Sequence, residues 1–262
     1  VNGIQVRRRY HHIFSAAVYV ARAGDIDGGT EDMVVSAPNL DSVYVFYGGG
    51  WGMKALDLTL DGPRIHDIST GAQWDVLFQG EAGTEFGASI SARRDISGSG
   101  YVSVVVGAPA GDKVYVFNGG AGGTISFPVP TNHVHNAILG GADVTLTSAT
   151  PSLNYRFGEA VSSRADLNGD TWPDLLIGAP DAIGPNGTTG AVYEFLSGTD
   201  KPASRTIAIA DYTIWGKTNL GRFGATIAAM GDMVPHLPII SLTYFDDFIV
   251  GAPGANAAYA LY

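Results

Sequence analysis

The feature that most constrains this chain is that it repeats. A Phe-Gly pair stands at Phe86-Gly87, Phe157-Gly158 and Phe223-Gly224, with Phe14-Ser15 as a weaker copy. A Gly-Ala-Pro triplet follows each one: Gly107-Ala108-Pro109, Gly178-Ala179-Pro180 and Gly251-Ala252-Pro253, with Ser36-Ala37-Pro38 in the first copy. Successive triplets begin 71, 71 and 73 residues apart. A repeated unit of this kind buries its apolar faces against its neighbours, so the chain has to be read as one array.

Each copy carries the same four candidate strands. The first follows the Phe-Gly pair, as in Ala88-Ser89-Ile90-Ser91-Ala92, and the second is a β-branched run into the triplet, such as Val102-Ser103-Val104-Val105-Val106. The third is aromatic: Val43-Tyr44-Val45-Phe46, Val114-Tyr115-Val116-Phe117, Val192-Tyr193-Glu194-Phe195 and Ala258-Tyr259-Ala260-Leu261. The fourth precedes the next Phe-Gly pair, as in Trp74-Asp75-Val76-Leu77-Phe78, Asp143-Val144-Thr145-Leu146-Thr147 and Tyr212-Thr213-Ile214-Trp215. Gly- and Pro-rich turns separate the runs, and nothing between them has helical period. The reading is all-β: a single β-propeller domain, 1–262, of four four-stranded antiparallel blades. The blades span about 14–78, 86–147, 157–215 and 223–262. The last lacks a fourth strand, and the surplus strand Gly3-Ile4-Gln5-Val6-Arg7-Arg8 is expected to complete it and close the ring. Closure would pair an edge otherwise open to aggregation. The alternative is an arc of a larger ring.

Composition narrows the function classes. There are 25 Asp and Glu against 15 Lys and Arg, a formal net charge of −10, which repels phosphate backbones and argues against nucleic-acid binding. The absence of cysteine removes disulfides, thiolate metal sites and cysteine nucleophiles together. No apolar run approaches the roughly 18 residues of a membrane span, so no transmembrane segment is expected. Val1-Asn2-Gly3 shows no signal-peptide pattern and reads as the start of a mature chain or excised region.

The chemistry sits in the loops between first and second strands. In the third copy that loop is Asp166-Leu167-Asn168-Gly169-Asp170-Thr171-Trp172-Pro173-Asp174, with side-chain oxygens at positions 1, 3, 5 and 9. Calcium takes six to eight hard oxygen ligands at about 2.3–2.6 Å. Alternate residues of a tight loop can supply them: Asp166, Asn168, Asp170 and Asp174, with the carbonyl of Trp172 as a backbone ligand. The bland reading is an Asx-rich turn that holds itself together without metal. The first copy has Asp25-Ile26-Asp27-Gly28-Gly29-Thr30-Glu31-Asp32, one residue shorter. It is expected to form a second, weaker site from Asp25, Asp27 and Asp32, lacking a carboxylate at position 5 unless Glu31 swings in. The second copy offers Asp95 among hydroxyls, with Ser103 where the others have Asp, too little charge for firm binding. In the fourth, Asp232 and Asp247 are separated by an insertion through Met233-Val234-Pro235-His236-Leu237-Pro238 that reads as an exposed loop.

At the Phe-Gly pairs, the acidic loops and the Gly-Ala-Pro triplets the chain resembles the FG-GAP repeat family, which includes the integrin α-subunit propeller and bacterial surface and secreted proteins. The resemblance covers essentially the whole chain. It implies a propeller, often calcium, and frequently adhesion or carbohydrate contact; the acidic loop of the third copy matches the family's calcium motif position by position. Four copies depart from the seven blades usual in the family, which puts an integrin-like binding surface in doubt.

Other features carry weaker signals. Arg7-Arg8-Arg9-Tyr10-His11-His12 is the only dense basic cluster, a charged edge strand or a dock for acidic glycans. His11 and His12, adjacent in a strand, would point to opposite faces and chelate poorly. Trp51, in a Gly-rich loop, is the best tryptophan for ligand contact, whereas Trp74 and Trp215 read as packing between blades. Asn186-Gly187-Thr188 is a glycosylation sequon. No nucleophile–base set, phosphate loop or nucleophile elbow is present in persuasive context. The expectation is a noncatalytic, calcium-binding adhesion module, extracellular or at the cell surface, with a protein or glycan ligand. Self-assembly through terminal strands and a carbohydrate-binding lectin are the alternatives.

Overall fold

The structure is a computed structural model that describes residues 19–48, 76–120, 134–136, 141–148, 153–185, 187–197, 205–206, 210–233 and 245–262. The strand 3–8, Phe14-Ser15, the basic cluster at Arg7, Arg8 and Arg9, and Trp51, Trp74 and Asn186 lie outside them.

The strands follow the repeat. The first gives β1 (Tyr19–Arg22), β2 (Thr30–Ala37), β3 (Ser42–Gly48) and β4 (Val76–Gln79). The second gives β5 (Ser89–Ser91), β6 (Val104–Ala108), β7 (Lys113–Phe117), β8 (Val134–Asn136) and β9 (Val144–Thr147). The third gives β10 (Ala160–Ala165), β11 (Asp174–Ala179), β12 (Ile183–Gly184), β13 (Gly187–Thr188), β14 (Ala191–Phe195), β15 (Arg205–Thr206) and β16 (Tyr212–Trp215). The fourth gives β17 (Thr226–Gly231), β18 (Asp247–Ala252) and β19 (Ala257–Leu261).

Each repeat folds into its own antiparallel sheet: β1-β2-β3-β4, β5-β6-β7-β9, β10-β11-β14-β16 and β17-β18-β19. Here each sheet is called a blade. Two short strands add what the repeat pattern did not show. β8 leaves the second blade and pairs in parallel with β4 of the first, and β15 leaves the third and pairs in parallel with β9 of the second. Each reaches back to cover the outer edge of the preceding blade, an edge that would otherwise stay unpaired. The β12–β13 hairpin is an insertion confined to the third repeat.

The Phe-Gly and Gly-Ala-Pro signatures have a common physical cause. Phe86, Phe157 and Phe223 are buried and stand edge-on to the tyrosine of their own third strand: Phe86 to Tyr115, Phe157 to Tyr193 and Phe223 to Tyr259, with centroids 5.4, 5.7 and 5.5 Å apart. Such edge-to-face pairs add to the burial of both rings. The glycine after each Phe has positive φ and donates its N–H to the glycine carbonyl of its own triplet: Gly87 to Gly107, Gly158 to Gly178 and Gly224 to Gly251. The triplet glycine then receives the next blade. A Cβ on Gly107 would lie 2.1 Å from the carbonyl oxygen of Gly158, and one on Gly178 would lie 1.9 Å from that of Gly224. No residue larger than glycine fits there. The first copy has Ser36 at this place, fully buried, with its hydroxyl unpartnered.

Apolar side chains alternate along the strands so that successive blades pack face to face. One core lies between the first and second blades, around Val34, Val43, Phe78, Val104, Val106 and Phe117, where Phe78 stacks on Phe117. A second joins the second and third through Val105, Val114, Leu146, Leu175, Ile177 and Phe195. A third joins the third and fourth through Leu176, Val192, Phe223, Phe248 and Val250.

Two expectations need correction. The second strand of the second copy begins at Val104 instead of Val102, because Ser103 and Val102 belong to the preceding loop. Trp215 does not pack between blades: it lies on the exposed outer strand, edge-on to Tyr193 of its own blade and against Gly184 of the inserted hairpin. The sheets do not close on themselves among the described residues, since Ala228, Ala258 and Ala260 of the last blade remain exposed.

Candidate metal loops

The loops joining first to second strands lie along one rim and are tied to each other. In the first loop the carbonyls of Asp25 and Ile26 accept from Val102 and Gly120 of the second blade. In the third the carbonyl of Asp166 accepts from Asp246, whose carboxylate accepts from the N–H of Asp166 in return (3.0 Å).

The third loop is built round Asp166. Its Oδ1 accepts from the N–H groups of Gly169 (2.7 Å) and Asp170 (3.2 Å), and its Oδ2 from Thr171 (2.7 Å). Asn168 Nδ2 donates to Asp170 Oδ2 (3.1 Å), and Asp170 Oδ1 accepts from the N–H of Trp172 (2.8 Å). Gly169 and Thr171 both take positive φ to make the turn. Asp174 closes it from β11, fully buried, accepting from Leu167 and Ser197 at 2.7 Å each. Burial pushes its carboxyl up to about 6, and the charges of Asp170 and Asp166 add to the shift while the Ser197 and Leu167 N–H groups oppose it. Glu194, on the neighbouring strand, is also raised, by burial and then by the charge of Asp174.

The first loop repeats the plan with a tighter outcome. Asp25 Oδ1 accepts from Asp27 (3.2 Å), Gly28 (2.6 Å) and Gly29 (2.9 Å). Asp32 is buried and accepts from Ile26 (2.6 Å) and Gly48 (2.7 Å), the counterparts of Leu167 and Ser197. Its carboxyl is likewise pushed up to about 6, by burial first and then by Asp27 and Asp25. Asp27 is raised too, chiefly by burial. Oxygens of Asp25, Asp27 and Asp32 lie within 4.8 Å of one another, the one such group of three among the described residues. Glu31 does not swing in: it is exposed and bonded to Arg22 through Nε and Nη2.

The second loop is a self-supporting turn. Asp95 Oδ1 accepts from the N–H and Oγ of Ser97 and from Gly98, all at 2.8 Å, and Oδ2 from Gly100 at 2.6 Å. Burial works to raise its carboxyl, but the Gly100, Ser97 and Gly98 hydrogen bonds outweigh it and hold the group below the ordinary value. Ser103 replaces the buried terminal carboxylate and donates to Asn118 Oδ1 (3.3 Å). In the fourth blade Asp247 keeps the buried position, accepting from Met233 (2.7 Å), and Asp232 Oδ1 is buried without a hydrogen-bond partner.

A second set of carboxylates escaped the sequence reading. Asp41 and Asp112 follow the Ala-Pro turns in left-handed conformation (φ 46° and 50°) and are buried. Asp41 accepts from Gly83 (2.7 Å) and Phe86 (3.1 Å), and Asp112 from Tyr155 (3.0 Å) and Phe157 (2.9 Å). Each fastens the Phe-Gly turn of the next blade. The signal was an acidic residue four places after Ala37 and Ala108, which only the αL geometry makes meaningful. The third repeat does the job with backbone, the carbonyl of Thr189 accepting from Phe223.

On the opposite side from the loops, a cavity of about 670 Å³ is lined by residues of all four repeats, including Asn39, Glu85, Arg156 and Thr226. Arg156 is held there between Glu85 and Glu159 (2.7 Å each).

Comparison with known proteins gives this arrangement its context. The FG-GAP repeat model matches residues 157–195, which run from the third Phe-Gly pair through the acidic loop and the triplet to the end of β14. The chain carries FG-GAP repeats of the integrin type. Integrin alpha-PS5 of Drosophila melanogaster is 32% identical over 197 residues, 70% of this chain and 16% of that protein. Integrin alpha-3 of Cricetulus griseus is 32% identical over 109 residues, 41% and 9%. Phosphatidylinositol-glycan-specific phospholipase D of Homo sapiens is 28% identical over 218 residues, 76% and 23%. The FG-GAP chain thus spans less than a quarter of the length of each of these relatives. Among its described residues, no helix is long and apolar enough to cross a membrane.

Proposed function

We propose that this FG-GAP chain is a noncatalytic binding or adhesion module, a four-bladed propeller whose rim is braced by calcium and which meets a protein or glycan ligand outside the cell. The observation that carries the reading is the convergence of Asp25, Asp27 and Asp32 within 4.8 Å, with the same plan repeated at Asp166, Asn168, Asp170 and Asp174. None of the three aspartates of the first loop has an ion pair among the described residues. Three hard carboxylates without a counter-charge are the donor set a calcium ion takes. The ion would offset the burial that raises Asp32 and Asp174 and the repulsion that adds to it, and would fix the loops in their turn conformations. Asp25, Asp27 and Asp32 would hold one ion; Asp166, Asn168, Asp170 and Asp174, with the Trp172 carbonyl, another.

The noncatalytic reading rests on the carboxylates being committed to loop hydrogen bonds, with no nucleophile–base pair beside them among the described residues. The likeness to phospholipase D covers under a quarter of that enzyme. Similarity to integrins and the net charge of −10 support an extracellular ligand that is not nucleic acid. Isothermal titration with calcium tests the proposal. Two binding events are expected, one removed by Asp27→Ala and the other by Asp170→Ala; absence of calcium heat at neutral pH would defeat it.

A further inference from the structure

The third position of the first three loops is a hydrogen-bond acceptor followed by a glycine. It is Asp27 in the first loop, Ser97 in the second and Asn168 in the third, before Gly28, Gly98 and Gly169. All three glycines take positive φ, at 92°, 72° and 74°, so the turn demands a residue without Cβ there. The third loop is therefore obliged to carry the pair Asn-Gly. With no Cβ to shield it, a glycine nitrogen is the one best able to attack the amide carbon of a preceding asparagine. Asn168 and Gly169 are both partly exposed, so water and hydroxide reach them.

The folded loop engages both reactants elsewhere. The Gly169 N–H donates to Asp166 Oδ1 (2.7 Å). The Asn168 side chain is turned to residue 170, its Oδ1 accepting from the Asp170 N–H (3.0 Å) and its Nδ2 donating to Asp170 Oδ2 (3.1 Å). Reaction needs these hydrogen bonds released together, which is a local opening of the loop. The first loop shows which product the fold accommodates. Asp27 Oδ1 accepts from the Gly29 N–H (3.0 Å), as Asn168 Oδ1 does from Asp170. The Gly28 N–H donates to Asp25 Oδ1 (2.6 Å), as Gly169 does to Asp166.

We infer that Asn168 is a spontaneous deamidation site, gated by the opening of its loop, whose aspartate product rebuilds the third loop on the acceptor pattern of the first. The Gly169 nitrogen gives its proton to hydroxide and bonds to Asn168 Cγ. The Cγ–Nδ2 bond breaks, Nδ2 leaves as ammonia with a proton from water, and a cyclic succinimide remains. Water then opens the ring at either carbonyl. Breaking the bond between Cγ and the Gly169 nitrogen restores the main chain and leaves aspartate at position 168. Breaking the bond from the main-chain carbonyl carbon leaves isoaspartate, whose extra main-chain methylene cannot keep the bonds to Asp166 and Asp170. The first outcome adds a negative charge beside Asp166, Asp170 and Asp174; the second dismantles the turn. That the aspartate product tightens calcium rests on the proposed metal sites, whereas the modification itself does not.

To test this, the full chain is held in chelator at mildly alkaline pH, native in one arm and unfolded in guanidinium in the other, then digested at acid pH. Fragment-ion sequencing reads Asn168 separately from Asn186, which also precedes a glycine. Conversion at Asn168 is expected in both arms and about tenfold slower in the native one, the factor that a loop opening of about 1.4 kcal/mol imposes. Asp166→Ala, which removes the acceptor of the Gly169 N–H, is expected to bring the native rate towards the unfolded one. Asp170→Ala, which frees Nδ2, takes its place should that variant misfold. Asn168→Asp is expected to fold and to bind calcium about tenfold more tightly, since affinity of such loops follows ligand charge. Equal rates in the two arms would overturn the gating, and Asn168 left intact in the unfolded arm would overturn the site. The rates are compared in chelator, so a chain that binds no calcium defeats the metal reading and leaves the gating to be decided by the rates.

Discussion

The first and third loops share an opening aspartate, a glycine at the fourth position and a buried closing aspartate, and end in different geometries. In the third, nine positions give each carboxylate its own backbone donors: Asp166 collects three N–H groups, Asp170 binds Trp172, and Asn168 turns its amide to Asp170. In the first, Asp27 stands where the third has Asn168, and its oxygen lies within 4.8 Å of those of Asp25 and Asp32. Each loop holds three aspartates. Counting the expected oxygen-bearing ligand positions ranks the third loop above the first, and the convergence of carboxylate oxygens reverses the order. The two agree at the last position, where a buried aspartate accepts from the loop and from the end of the third strand. The lesson is that this terminal aspartate is an architectural residue first, and that the residue at the third position, Asp27 or Asn168, sets how much negative charge gathers beside it.

The largest effect tests what the loops share. Asp174→Ala leaves the Leu167 and Ser197 N–H groups buried without acceptors, and Asp32→Ala does the same to Ile26 and Gly48; each is expected to cost about 3 kcal/mol in urea unfolding. A much smaller loss at Asp32 would break the equivalence. Next comes the contrast itself. Calcium at a hundredfold excess over its dissociation constant should stabilise the chain by about 2.7 kcal/mol per site. In thermal unfolding, Asp27→Ala is expected to remove more of that gain than Asp170→Ala; the reverse order would restore the ranking by oxygen-bearing positions.

A smaller effect follows from titration. Asp32 and Asp174 have folded-state values of about 6 against an ordinary 3.8, so the folded chain holds more protons than the unfolded one between those limits. In chelator, their contribution to stability is complete below pH 3.8 and is lost as the pH rises through 6. Calcium competes with those protons, so its affinity should strengthen as pH rises through the same window, readable by titration calorimetry at several pH values. The smallest change would graft the feature: Ser103→Asp puts the missing buried aspartate beside Asp95. It is expected to cost about 1 kcal/mol in chelator, with part regained in calcium. No calcium response would mean that the terminal aspartate does not by itself make a site.

Much of the fold was legible because the chain writes it repeatedly. The aromatic third strands, the outer strand Tyr212–Trp215 and the order of elements follow directly from the alternation and its punctuation. What was hidden needed three-dimensional information. β8 and β15 are too short to show a period and owe their strand form to an edge supplied by another blade. Asp41 and Asp112 look like ordinary turn residues until their left-handed backbone aims them at the next Phe-Gly turn. Trp215 reads as core by composition, but its sheet position at the outer edge exposes it. The candidate loops were legible residue by residue, whereas the convergence of Asp25, Asp27 and Asp32 is a matter of how the folded loop places their oxygens.

The Asp41 and Asp112 joints make each blade separable in evolution. A joint consists of a carboxylate after the Ala-Pro turn of one unit and the Phe-Gly turn at the start of the next. Duplicating or deleting a whole unit carries both halves along and leaves every remaining joint intact. Where the third repeat took in the β12–β13 hairpin, backbone carbonyls replaced the carboxylate and the coupling survived. A lineage built this way can change its number of units in a single step, and can accept an insertion at a joint without loosening the unit that follows.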